Sequence, residues 1–394
     1  MLKSKTLALT LVLACSQSSA APFTPKSDSE VVEKLPATAN DPSVRRVDSL
    51  RKQLAARPND AALRLEIAQR YFDLAMAQGD PRYVGYAQAA IIPLAQTAAN
   101  NADYWQIRGM LEQYSHDFPG AMKSLEKASQ LDPQAANPIA WRAAIDMVQA
   151  QYAEALAECT KLVPLVHPLF AQGCTAYVQA NTGHLQAAYD ALNKELNAAG
   201  DAAPGLVLWV QTRLGEMAIR LQKYPEAEAH YTSALKLGIT DQYLLGAYSD
   251  FLLLQKRPAE VVKLLADWER SDILLLRLAL AGKAMNHPKA ADWARQLDDR
   301  FTAALQRGDR LHEQEAARFE LFVQGHPQKA LDYAVRNYGS QKEARDADIL
   351  MQAALAANQP KAAQPALDWL RVNRYEDPAL AQLADQLVAK GATR

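Results

Sequence analysis

The sequence predicts an all-α protein in which one pair of helices is repeated along the chain. Its 394 residues contain many alanines, only 16 glycines and few runs of β-branched residues, and this composition favours helix nearly throughout. A turn followed by a short amphipathic helix also recurs every 30 to 39 residues. Because a protein of this length exceeds one compact core of ordinary size, the repetition predicts an elongated array.

The clearest copy of the repeat is HDFPGAMKSLEKASQLDP, at residues 116–133. It starts with a turn, continues as a helix that carries Ala121, and ends at Asp132-Pro133. Small side chains at such a position let two helix backbones approach closely. The alternative is an irregular helical bundle with chance alanine spacing, and eight recurrences argue against it. The seven matching residues in later copies are Ala155, Ala188, Ala227, Val261, Ala291, Ala330 and Ala363.

A second helical pattern precedes each copy. In residues 102–115, Trp105 and Gly109 lie four positions apart and therefore share one helix face. The unit of helix, turn and helix resembles the tetratricopeptide repeat, and the resemblance covers residues ~44 to 385. It implies a right-handed α-solenoid of about eight to nine helix pairs, with the first helix of each pair on the concave side. The residues at the family's spacing are Trp105, Gly109, Phe118, Ala121, Leu125, Ala128, Leu131 and Asp132-Pro133.

The first 20 residues have the form of a secretory signal. MLKSK is positively charged, TLALTLVLA is apolar but too short to span a bilayer, and CSQSSA is rich in small residues. Cleavage after Ala20 would start the mature protein at Ala21. Cleavage before Cys15, in a Val-Leu-Ala-Cys sequence that resembles a lipoprotein box, would limit the signal to residues 1–14 and place lipid on Cys15. Both interpretations predict export, to the periplasm or to a lipid anchor at the outer membrane.

Three further segments follow the signal. Residues 21–42 are rich in Pro, Ser, Thr and charge without a sustained helical face, so we predict a flexible leader. Residues 43–200 are predicted to form an N-terminal repeat array, and residues 201–394 a C-terminal array with a capping helix. Two repeat spacings of 39 residues place longer connections at 197–206 and near 305–311, which are candidate hinges.

Only two cysteines remain beyond the signal. Cys159 lies about five residues before the connection VPLVHP, and Cys174 lies about five residues after it. Two antiparallel helices joined by this connection would therefore place the two thiols side by side, at the same level along the helix axes. In an oxidising compartment this arrangement predicts a disulfide, contributing ~3 kcal/mol through loop closure. Two buried free thiols are the alternative.

The sequence gives no support for catalysis, a cofactor or a metal. No HExxH, GxSxG, Walker or GxGxxG motif occurs. The histidines of four helix-helix turns, His116, His184, His287 and His326, sit in repeats stacked about 10 Å apart, whereas metal ligands lie ~2.1 Å from their ion. A formal net charge of −1 provides no basic excess for nucleic acid or for an anionic membrane. We therefore expect no catalytic residue, no metal site and no cofactor.

The predicted concave face carries an aromatic side chain in repeat after repeat. Aromatic anchors supply contact area and polar neighbours set register, so the face suits a peptide or protein partner. We predict a non-enzymatic scaffold of the cell envelope, attached to a membrane only through lipid on Cys15. The alternatives are a hydrolase-like envelope enzyme on a helical-repeat frame, or a homo-oligomeric structural protein. The predicted groove residues are Phe72, Asp103, Gln106, Met110, Tyr114, Tyr177, Asn181, Trp209, Glu216, Arg220, Tyr243, Asp250 and Phe319.

Overall fold

Twenty α-helices follow one another through residues 42–391, which together with Ser27 are the residues described by the computed structural model. These residues contain no strand. Between α1 and α20 lie nine pairs, from α2–α3 to α18–α19, and the helices of a pair pack on each other. The predicted all-α solenoid of the tetratricopeptide type is confirmed. The helices are α1 (Pro42–Ala56), α2 (Ala61–Gln78), α3 (Arg82–Ile91), α4 (Ala102–Tyr114), α5 (Phe118–Leu131), α6 (Ala136–Val148), α7 (Tyr152–Leu162), α8 (Pro168–Ala180), α9 (Leu185–Ala198), α10 (Pro204–Arg220), α11 (Tyr224–Leu235), α12 (Gln242–Leu254), α13 (Pro258–Leu264), α14 (Asp272–Met285), α15 (Ala290–Gln306), α16 (Glu313–Arg318), α17 (Pro327–Tyr338), α18 (Ala344–Ala356), α19 (Gln364–Asn373) and α20 (Pro378–Ala389).

The turn inside each pair has one recurring geometry. A residue with positive φ separates the two helices in all nine pairs. His116, with φ of 59°, is one of these residues, and Asp117 then caps α5 by accepting a hydrogen bond from the Gly120 N–H at 3.0 Å. His116 is therefore a turn residue. The nine positive-φ residues are Gly79, His116, Ala150, Gly183, Gln222, Lys256, Asn286, Gly325 and Asn358.

Small residues sit where the helices of a pair touch. A Cβ on Gly109 would lie 2.7 Å from Leu125 Cγ, so only glycine fits the contact between α4 and α5. Ala121 is fully buried there, as predicted. In the α14–α15 pair the prediction is wrong, because Ala291 is exposed and the ring of Trp293 instead packs against Gly282. The register of that pair differs from the other copies.

The solenoid coils tightly enough for distant pairs to touch. Helix α2 of the first pair contacts α12 of the sixth. Between the ninth and third pairs, the Trp369 indole N–H donates to the Tyr152 hydroxyl at 3.2 Å. Nearby, the backbone N–H of Lys342 donates to the Val148 carbonyl at 2.7 Å. The concave side is therefore a space walled by both ends of the described chain rather than the open groove expected from the sequence.

A disulfide joins α7 and α8 across the connection between the third and fourth pairs. Cys159 and Cys174 are bonded, with their Cα atoms 5.6 Å apart. The predicted pairing is confirmed. Cys159 is buried among residues of the same apolar cluster that receives α18–α20, so the bridge lies under the contact that closes the coil.

The prediction of long connections in the two 39-residue spacings is wrong. Residues 199–203 separate α9 from α10 and residues 307–312 separate α15 from α16, whereas the longer stretch 265–271 separates α13 from α14. The extra length lies in the helices, since α10 and α15 each have 17 residues. The predicted signal, Cys15 and the leader lie outside the described residues. Within residues 42–391, no helix combines the length and apolar character required to cross a membrane.

Candidate functional site

The coil surrounds a cavity of about 540 Å³. All nine first helices of the pairs contribute to its wall, from Met76 on α2 to Arg345 on α18. The volume falls within the range of ~300–1,000 Å³ that is usual for ligand pockets. The cavity is thus the candidate site, and it places side chains from the first and the last pairs around one space.

Seven of the thirteen predicted groove residues line this cavity, namely Tyr114, Tyr177, Asn181, Glu216, Arg220, Tyr243 and Asp250. The assignment is corrected for Phe72, Met110 and Phe319, which are at most 3% exposed because they fill the core between helices. Trp209 stacks on Phe170, with ring centroids 5.4 Å apart, and covers Gly173. The other two residues, which also lie outside the wall, are Asp103, exposed in the first turn of α4, and Gln106, half-buried on the same helix.

One wall of the cavity is built around Arg213, which is not among the groove residues predicted from the sequence. Its guanidinium lies 4.3 Å from the Tyr177 ring centroid and 4.7 Å from that of Tyr243. Nη1 donates to Glu216 Oε2 at 2.9 Å and to the Tyr243 hydroxyl at 2.8 Å, and that hydroxyl donates to Glu216 Oε1 at 2.5 Å. The two tyrosines and the glutamate therefore fix the arginine in place. Arg213 lies three positions before Glu216 on α10, which is the only sequence signal for the pair.

A second wall is built around Asp250. Its Oδ2 accepts from Arg277 Nη2 at 2.6 Å and its Oδ1 from Arg318 Nη2 at 2.9 Å. Burial by itself raises the pKa of this carboxyl, but the two guanidinium groups outweigh it and hold the pKa below its usual value. Asp250 is therefore ionised, and α12, α14 and α16 are tied together at one point.

Beside it, the buried Glu315 pairs with the half-buried His312, with Glu315 Oε2 3.9 Å from His312 Nδ1. Burial raises the pKa of Glu315, but His312 and Arg345 outweigh it and bring the pKa to about 2. For His312, burial lowers the pKa, and its interactions with Glu315 outweigh that effect and raise it. A carboxyl held ionised cannot donate a proton near neutral pH.

The pKa of the Asp346 carboxyl is shifted in the opposite direction, because burial raises it to about 7. It is completely buried and does not line the cavity, so a molecule inside the cavity cannot reach it. The hydrolase alternative needs a raised carboxyl that touches substrate. Among the described residues, the two lining carboxylates with shifted pKa values, Asp250 and Glu315, are both lowered, which does not favour it.

Arg220 closes the coil. Its Nε donates to the Glu376 carbonyl at 3.0 Å, its Nη2 donates to the Ala180 carbonyl at 2.5 Å, and its guanidinium lies 3.9 Å from the Tyr375 ring centroid. In addition, the Leu185 N–H donates to Glu376 Oε2 at 2.6 Å. The predicted role of Arg220 in partner binding therefore competes with a structural one, because these contacts hold the C-terminal segment against α8–α10.

The nine pairs, their recurring turn and their glycine and alanine contacts define the class of protein as a tetratricopeptide-type solenoid. No protein-family profile matches the sequence, and no curated protein sequence matches it. Among solved structures, the protein is similar to the Rap protein complexed with competence and sporulation factor, with 13% identity, a TM-score of 0.48, and coverage of 88% of this chain and 94% of that one.

Two further structures are similar at comparable levels. For yeast Tom70 the identity is 12%, the TM-score 0.42, and the coverage 90% of this chain and 85% of that one. For the APC/C heterotetramer Cut9–Hcn1 the identity is 15%, the TM-score 0.41 and the coverage of this chain 79%. The match spans only about half, 52%, of the length of the Cut9–Hcn1 structure's own chain.

Proposed function

We propose that the protein is a non-enzymatic interaction scaffold that takes a short segment of a protein partner into its central cavity. The observation that carries the proposal is the composition of the wall, where tyrosines and paired charges from successive repeats converge on one space. Tyrosine offers contact area together with a hydrogen-bonding hydroxyl, and such residues dominate binding energy at protein interfaces.

The balance of charge in the wall also favours a polypeptide segment. Four arginines, Arg213, Arg220, Arg277 and Arg345, face five acids, Glu216, Asp250, Asp272, Glu315 and Glu343. A wall of nearly balanced charge does not attract a polyanion. The amides of Gln113, Asn181 and Gln242 can satisfy the donors and acceptors of a peptide backbone.

We further propose that this scaffold works outside the cytoplasm. The support is the signal-like N-terminus together with the disulfide between Cys159 and Cys174, since disulfides persist in oxidising compartments. Fractionation of the native host, with mass spectrometry of the mature N-terminus, tests this. A protein that starts at Ala21, or at a lipidated Cys15, supports export. A full-length protein in the cytoplasmic fraction refutes it.

The binding proposal is tested by placing a photo-crosslinking residue at Ala247, which lines the cavity on α12, or at Ala153, which is exposed on α7 outside it. Both variants are irradiated in their own envelope extract. We expect partner-derived peptides to be linked at Ala247 and absent at Ala153. Filling the cavity with Ala247→Phe should reduce recovery of the same partner, whereas Ala153→Phe should not.

Equal crosslinking at both positions, or partner recovery that cavity filling leaves unchanged, would refute binding in the cavity. Light scattering of the purified protein tests the homo-oligomeric alternative, because a stable homo-oligomer would show a multiple of the monomer mass, which is 43.3 kDa for the 394 residues before any cleavage. Circular dichroism of each variant confirms that the helices are retained, so that loss of binding is not loss of fold.

A further inference from the structure

The four arginines of the cavity wall differ in how many of their donors are already used. Arg213 is fixed by Glu216 and two tyrosines, Arg220 by two backbone carbonyls, and Arg277 by Asp250 and the Ile273 carbonyl at 3.0 Å. The side chain of Arg277 is only 8% exposed. These three arginines therefore serve the wall itself.

Arg345 is different. Among the described residues its side chain has one hydrogen bond, from Nη2 to Glu343 Oε2 at 2.6 Å, and 48% of the side chain is exposed although it lines the cavity. Glu343 is itself fixed, because its side chain accepts from the backbone of Asp346 in the capping box of α18. The guanidinium of this cavity-lining residue is thus oriented at one edge, and its other N–H groups donate no hydrogen bond to another described residue.

An oriented guanidinium with a free edge is suited to a carboxylate. Its planar fork can give two parallel charge-assisted hydrogen bonds to the two oxygens, and fixing one edge beforehand reduces the entropy lost on binding. The acids that could compete inside the cavity already have partners. Glu216 accepts from Arg213 and Tyr243, Asp250 accepts from two arginines, and Glu315 pairs with His312.

The same cavity exposes apolar surface that no neighbouring helix covers. Leu254 is 52% exposed and Met76 42% exposed, although both line the cavity. Burying such surface is favourable by ~25 cal/mol per Å². A ligand that places an apolar side chain there and a carboxylate on Arg345 would use both features.

We propose that Arg345 binds a carboxylate of the partner segment, while an apolar side chain of the same segment covers Leu254 and Met76 elsewhere on the cavity wall. The proposal rests on the proposed function, because it assumes that a peptide enters the cavity. The carboxylate could belong to the C-terminus of a polypeptide or to an Asp or Glu side chain, and both offer Arg345 the same pair of oxygens.

Three mixtures of N-acetylated tetrapeptides distinguish these sources. The first contains uncharged side chains and a free C-terminal carboxylate, the second is the same mixture as C-terminal amides, and the third is amidated but carries one glutamate. Each mixture is equilibrated by dialysis with the purified full-length protein and measured by mass spectrometry. We expect retention of the first or the third mixture above the second, and the mixture retained identifies the source.

The variants assign the effect to Arg345. Removing one partner of a charged hydrogen bond is expected to weaken binding about tenfold to a hundredfold in Arg345→Gln. Arg345→Lys keeps the charge without the planar fork and should fall between this variant and the parent protein. The matched control is Arg371→Gln, since Arg371 bonds Asp368 at 3.3 Å on the exposed surface outside the cavity.

Each remaining outcome has one meaning. If amides without glutamate are retained as well as the acids, and Ala247→Phe abolishes their retention, the cavity binds peptides and the carboxylate inference is overturned. If acids are retained equally by the parent protein and by Arg345→Gln, the assignment to Arg345 is overturned. If no mixture is retained, peptide binding in the cavity fails as well.

Discussion

Replacing Arg142 by Met tests how much a buried ion pair between the two helices of the third pair, α6 and α7, contributes to stability. The Arg142 and Glu158 side chains are 10% and 12% exposed, and Arg142 Nη2 lies 2.9 Å from Glu158 Oε2. Arg142 Nη1 also donates to Ser129 Oγ at 2.8 Å. Removing one partner of a buried pair costs ~3–5 kcal/mol. Glu158 keeps Lys161 at 3.0 Å, an exposed partner worth under ~1 kcal/mol, so we expect a loss near ~3 kcal/mol.

The assay is urea denaturation followed by both circular dichroism and tryptophan fluorescence, because coincident curves show whether the solenoid unfolds in one step. Replacing both partners, as Arg142→Met with Glu158→Met, should restore most of the loss, since no unpaired charge remains buried. A single variant that costs less than ~1 kcal/mol would refute the reasoning. So would a double variant that costs the sum of the two single ones.

The pH dependence of the same pair has a defined sign. Burial by itself raises the pKa of Glu158, but hydrogen bonds from Arg142 and Lys161 outweigh it and lower the pKa. A lowered pKa in the folded state gives stability that is present above the unfolded value of ~4.3 and is lost as pH falls through the folded value. The difference in the free energy of unfolding between the parent protein and Arg142→Met should therefore be largest at neutral pH and decrease below pH ~4.

Three further predictions concern the closure of the coil. Cys159→Ser should lower the free energy of unfolding by ~3 kcal/mol in thermal denaturation without reductant, and by much less when reductant is added to both proteins. Gly79→Ala should loosen the contact between α2 and α12, because φ is 66° and the new Cβ would clash with the Gln242 side chain; faster hydrogen exchange in α12 checks this, and Gly85→Ala, with nothing within 4 Å, is the control. Arg220→Met should release the C-terminal segment, seen as faster proteolysis within residues 364–391 while the first pairs stay protected.

Local features of the fold could be predicted from the sequence because they depend on neighbouring residues. The helix pairs follow from apolar periodicity, and Ala121 and Gly109 follow from the need for close helix contact. The disulfide follows from two cysteines placed symmetrically about a turn. The prediction for Ala291 is wrong because Trp293 fills the contact with Gly282 in that pair, and a shift of register by side-chain size cannot be deduced from spacing alone.

Membership of the cavity wall is harder to predict, because a helix of a pair faces both its neighbours and the concave side. Phe72 and Tyr114 both lie on first helices, and their ring centroids are 6.5 Å apart, yet the first is in the core and the second lines the cavity. The sequence does not single out Arg213 or Arg345, since arginine on a helix surface is ordinarily solvated and the spacing of Arg213 from Glu216 is only a weak signal. Their position becomes distinctive only when opposite walls are brought together.

The closure itself depends on a quantity that the sequence does not display. Each pair is rotated by a small angle relative to the one before it, and the sum over successive pairs determines whether distant helices meet. Here they meet, and His116 and Gln341, which are 225 positions apart, approach to 2.8 Å. The cavity wall includes residues from the early pairs and from the late pairs that contact them. An occupant that fills the cavity would therefore touch both groups of pairs at once. If an occupant binds only the closed form, closure and binding are coupled. The occupant then stabilises the closed form by the same free energy by which closure favours binding. Variants that loosen closure from outside the cavity wall, such as Glu376→Ala, which removes the acceptor of the Leu185 N–H, should therefore weaken peptide retention without altering any residue that lines the cavity.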